Sequence, residues 1–174
     1  THEDIDMSAR AYALWLGYGA DQVPWKPGIS YRYTAFSGDD PGTTKFERYD
    51  PLLSGGQNNY TPGALVSSVL VNANLRSQRI TLTANPSEQM GLTLEYSVHR
   101  ADQLNNRGAI GPMQVLGSKA LAREVDLFVN VFVGKNYYIQ GVLAAAKPDS
   151  AIKEALGGSA KNWYAAQLSL YFFF

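Results

Sequence analysis

Cysteine is absent from this 174-residue chain, so neither a disulfide framework nor a thiolate metal site is open to it. Histidine is scarce, with only His2 and His99. Net charge is missing too: 15 Lys+Arg balance 15 Asp+Glu, without the basic excess of a nucleic-acid binder. No run approaches the roughly 18–20 consecutive apolar residues of a membrane-spanning helix. The densest, Val142–Ala146 and Phe172–Phe174, are far shorter. The chain opens at Thr1 without a charged, then apolar, then small-residue leader, which reads as a processed product or a piece of something longer. If a membrane is involved, a closed barrel is the remaining option, because only helices and barrels satisfy their backbone groups in lipid.

What is present is alternation of period two. Val125, Leu127, Val129, Val131 and Val133 alternate with Glu124, Asp126, Phe128, Asn130 and Phe132. Met90, Leu92, Leu94, Tyr96 and Val98 alternate with Gly91, Thr93, Glu95, Ser97 and His99. Such alternation predicts strands with one apolar and one polar face. Eight strands are expected, over 7–19, 28–37, 63–74, 76–84, 89–100, 121–134, 136–147 and 161–174, although 63–74 alternates weakly. Several reach about 10 residues, the length of a tilted membrane-crossing strand. Soluble strands are nearer to about five or six. A short helical stretch is expected over Ser150–Leu156.

The connections are unequal. Asn85–Glu88 and Gly134–Asn136 read as tight turns, whereas Ala101–Ala120 and Pro148–Ala160 are long. Outer-membrane barrels show this asymmetry between periplasmic turns and extracellular loops. Residues 38–62 form a further long loop, tied down by Tyr49-Asp50-Pro51-Leu52; its side is open, and folding into the lumen is one expectation. The 11 Tyr and three Trp fit an interfacial belt. The alternative, a soluble β-sandwich core, gives no reason for strands this long. At the C-terminus, Leu168, Leu170, Phe172 and Phe174 lie on one face of the last strand and resemble the signal read by the barrel-assembly machinery.

No catalytic constellation stands out. A Ser-His-Asp arrangement around His99 is weighed against a plain strand-end histidine. Glu124 and Asp126 share a face, which suits acid–base work or, more simply, balance by Arg79 and Arg32 on neighbouring strands. Asp39, Asp40 and Asp50 suit calcium or an ordinary turn. No metal or cofactor is expected. On the polar faces, Arg32, Arg79, Glu95, Glu124 and Asp126 are the pore-lining candidates; Lys45, Arg48, Asp50, Arg100 and Arg123 are loop or rim candidates. Arginine in a pore favours anions.

A family resemblance follows from short motifs in order along the chain. They are Pro24-Trp25-Lys26-Pro27, Tyr31-Arg32-Tyr33, Phe36-Ser37-Gly38-Asp39-Asp40-Pro41 and Phe46-Glu47-Arg48-Tyr49-Asp50-Pro51-Leu52. Asn74-Leu75-Arg76-Ser77, Asn85-Pro86-Ser87-Glu88 and Glu124-Val125-Asp126-Leu127 continue the series. From about Ala11 onward the chain resembles the alginate-export family of outer-membrane proteins. That resemblance implies an all-β antiparallel transmembrane barrel of roughly eighteen strands, of which this chain supplies the C-terminal part. It implies a non-enzymatic channel in the bacterial outer membrane for an anionic polysaccharide or smaller anionic solutes. Expected partners are outer-membrane lipid and lipopolysaccharide, the barrel-assembly machinery and an N-terminal remainder of the barrel, with no nucleic acid. The competing readings are a closed eight-stranded barrel acting as anchor or adhesin, and an outer-membrane enzyme with its site at the rim.

Overall fold

The computed structural model describes residues 6–51, 62–106, 109 and 111–174. His2, Leu52 and the 52–61 part of the long loop lie outside the described residues. Among the described residues seven strands form: β1 Ala11–Gly19, β2 Gly28–Phe36, β3 Leu75–Ser87, β4 Met90–Ala101, β5 Ala120–Val133, β6 Tyr137–Pro148 and β7 Trp163–Phe172. They make one sheet in sequence order, every neighbour antiparallel. No helix among the described residues is long and apolar enough to cross a membrane.

The register turns the alternation of each strand into two continuous faces. One cross-strand row reads Leu16–Tyr31–Ile80–Tyr96–Val125–Ala145–Tyr164. The row beside it, pointing the other way, reads Trp15–Arg32–Arg79–Ser97–Glu124–Ala146–Trp163. A one-residue slip anywhere would mix the two, so the pattern itself fixes the register. The apolar face is exposed: Leu16 at 60%, Leu143 at 56% and Leu168 at 68% stand for the whole surface. An apolar area of this extent is far beyond what a soluble monomer leaves uncovered.

The eighth expected strand, over 63–74, does not form. Its buried residues Val66, Leu70 and Ala73 recur every three or four positions, not every two. Such spacing is helical rather than strand-like, and the chain makes a 3-10 turn at Val66–Ser68 within an otherwise coiled segment. The tight turn expected at Asn85–Glu88 also shifts. Asn85, Pro86 and Ser87 belong to β3, and the register slips between Ala84 and Ser87. A bulge is where a strand tolerates proline, which has no N–H for the ladder. The expected helical stretch does appear, as α1 Ser150–Ala155.

All three long connections, 37–74, 102–119 and 149–162, leave from one end of the sheet, and the shorter ones, 20–27, 88–89 and 134–136, join the other. At the long-loop end a small core collects Phe36, Leu75 and Leu121 from strand termini, Val66 and Leu70 from the coiled segment, Leu116, and Ile152 from α1. Each large side chain buried here is worth about 1.5–3 kcal/mol. The core therefore holds the coiled segment and α1 over the polar face of the sheet.

Candidate functional site

The polar face carries the charges. β2 and β3 present Arg32 and Arg79 directly opposite each other, and β4 and β5 present Glu95 opposite Asp126. Two like-charged cross-strand pairs side by side are unfavourable unless each finds a counter-charge. Arg79 finds one: its Nη1 lies 2.7 Å from Glu95 Oε2, and its Nη2 donates to the Pro62 carbonyl at 2.6 Å. Thr81 Oγ1 donates to the other oxygen of Glu95 at 3.2 Å. Arg32 sits over the indole of Trp15, 5.5 Å from the ring centre, a cation–π contact.

Glu124 and Asp126 are met differently from the expected pairing with Arg79 and Arg32. The coiled segment turns its backbone toward them. Leu65 N–H donates to Glu124 Oε1 at 2.6 Å, Val66 N–H to Glu124 Oε2 at 2.8 Å, and Ala64 N–H to Asp126 Oδ2 at 3.3 Å. Three successive amides aimed at carboxylates form a compact anion cradle, the carboxylates here acting as its internal anions. Gly63 makes the approach possible, since a Cβ there would meet the Glu124 carboxyl carbon at 2.7 Å. Both carboxylates are buried at 1% exposure, and Arg32 and Arg79 at 7% and 8%. Arg79, Glu124 and Asp126 are thus covered by the chain segment that begins at Pro62.

His99 is fully buried on the same face, with Ser77 Oγ 2.9 Å from Nδ1 and Ser97 Oγ 2.9 Å from Nε2. Both ring nitrogens are engaged by hydroxyls, so the histidine serves as a satisfied link between β3 and β4. The loop and rim candidates scatter. Lys45 pairs with Asp6 at 3.1 Å in solvent, Asp50 is exposed, and Arg48 lines a small cavity of about 100 Å³ with Leu70 and Met113. Asp39 and Asp40 accept backbone N–H groups from Glu47 and Gly42, as turn carboxylates do. Arg100 and Arg123 stand at the long-loop end, on the apolar side of the sheet. Leu168, Leu170 and Phe172 line the apolar face of β7, and Phe172 meets Tyr137 edge-on at 5.5 Å. Phe174 is fully exposed.

Sequence reading missed the cradle. The Pro62-Gly63 dipeptide is its signal, a rigid residue followed by one without a side chain, but it does not say which carboxylates it meets. A family model described as alginate export matches residues 2–162. No curated protein matches the chain.

Proposed function

The chain belongs to the alginate-export family, and from that premise we propose that it forms part of an outer-membrane β-barrel channel passing an anionic polysaccharide or a smaller anionic solute. The carrying observation is the division of the strands into an exposed apolar face, charged only at its long-loop end, and an opposite face on which β2 to β5 carry Arg32, Arg79, Glu95, Glu124 and Asp126. In lipid the first faces hydrocarbon and the second the lumen. Tyr18, Tyr31, Tyr96, Tyr137 and Tyr164 on the apolar side suit the two interfacial girdles.

Among the described residues β1 and β7 are not paired with each other and form the two edges of the sheet. Hydrocarbon tolerates no open edge. We therefore read the sheet as an arc of a larger barrel, completed by further strands, which disfavours a closed small anchor. Anion preference is supported by the way the carboxylates are occupied. Glu95 is paired with Arg79, and Glu124 and Asp126 are turned to backbone N–H groups of the covering segment.

The test is conductance of the full-length protein in planar bilayers, with reversal potentials in a salt gradient. Anion-selective channels are expected, and Arg32→Gln is expected to shift selectivity toward cations, most strongly at low salt, where screening is weakest. Folded protein that conducts nothing would overturn the channel reading. Unchanged selectivity in Arg32→Gln would remove Arg32 from the ion path.

A further inference from the structure

The apolar face ends abruptly in positive charge. From the tight-turn end up to Tyr96 and Val125 it carries no charged side chain. Just beyond, toward the long loops, Arg76 stands opposite Arg100 and Arg123 opposite Lys147. All four are exposed. Like charges directly opposite each other repel, and each pair is only half relieved. Asp102 pairs with Arg76 and Asp149 with Arg123, while Arg100 and Lys147 have no carboxylate partner among the described residues. Two positive charges therefore remain on strands β4 and β6, separated by β5 and staggered along it, with Arg100 facing Ala120 and Lys147 facing Arg123, which puts their backbones roughly 12–14 Å apart.

A soluble anion has no reason to choose this place, since one side of it is bare hydrocarbon-facing surface. An amphipathic anion does: its chains lie on the apolar face and its head reaches the charges. We propose that Arg100 and Lys147, flanked by Arg76 and Arg123, bind the phosphates of a lipid headgroup, with bisphosphorylated lipid A of the outer leaflet as the occupant. The assignment rests on the membrane reading above. The long loops mark the outer side of such a barrel, and two separated charges suit a headgroup that carries two phosphates. Arginine and lysine both serve as phosphate donors, the first in fork geometry and the second as a point charge.

The experiment uses full-length protein folded into phosphatidylcholine vesicles that contain bisphosphorylated lipid A or its dephosphorylated form. Lipid retained after mild detergent extraction is counted by native mass spectrometry. The wild type retains the phosphorylated form in preference. An interfacial basic residue is worth about fivefold in affinity for anionic lipid, so Arg100→Gln with Lys147→Gln reduces retention by about thirtyfold. The charge-preserving exchange Arg100→Lys with Lys147→Arg restores it. Equal retention of the two lipids, or a neutralised variant that behaves as wild type, overturns the proposal. Heat-modifiable migration and protease protection are read on the same vesicles. Their loss in the wild type overturns the membrane reading and this proposal with it, whereas intact insertion without lipid preference overturns the proposal alone.

Discussion

Leu94 and Thr93 are neighbours on β4 that meet opposite surroundings. Leu94 joins the exposed apolar row with Leu82 and Leu127, and Thr93 joins the polar row with Thr83 and Phe128. With the apolar row in hydrocarbon, Leu94→Arg is expected to cost about 2–4 kcal/mol of membrane folding stability. Thr93→Arg is expected to cost less than about 1 kcal/mol, since an arginine there reaches water. Urea titrations of folding into lipid vesicles measure both, and equal damage would argue against a lipid face. Single residues of this kind were legible from alternation alone. Glu124 was legible only in part: its face was evident, but its partners were not, because Leu65 and Val66 lie 59 and 58 positions away.

At the level of elements, the contrast lies between the strands and the segment after Pro62. Strands identify themselves by period two, and all seven run over nine residues or more. The segment 62–73 is shaped by what it docks onto: the Arg79 guanidinium, the Glu124 carboxylate and the small core around Val66. Charge-assisted hydrogen bonds of this kind contribute about 1.5–3 kcal/mol each. Glu124→Gln keeps the shape but leaves one of the two amides facing an NH₂ group. Hydrogen exchange at Leu65 and Val66 is therefore expected to accelerate by at least about tenfold, with the central amides of β4 and β5 unchanged. Equal protection in the variant would show that apolar packing, not the carboxylate, holds the segment.

For the molecule as a whole, assembly and completion of the sheet are the issue. β7 is an edge strand, and Leu168, Leu170 and Phe172 point away from the polar face, followed by an exposed Phe174. Phe172→Ser with Phe174→Ser is expected to lower outer-membrane levels in cells several-fold while changing in vitro stability by only about 1–3 kcal/mol, the scale of side chains leaving an apolar surface. Normal levels of that variant would argue against a terminal assembly signal. Arg79 bears on the same scale. It joins β3, Glu95 on β4 and the Pro62 carbonyl, so its replacement disturbs three elements at once, and Arg32 is the cleaner probe of ion selectivity.

By itself the sequence determined the all-β character, seven strand positions, the two faces and the family, because side chains alternate locally and a short window reveals them. It also located the helical turn at Ser150. It could not determine that 63–74 leaves the sheet, nor that its amides would turn to Glu124 and Asp126. Those facts depend on contacts between residues far apart in the chain, and hydrogen bonds from backbone N–H groups leave no trace in residue identity. The placement of Arg76, Arg100, Arg123 and Lys147 in one patch was likewise decided only by register, which sets which residues of separate strands stand side by side.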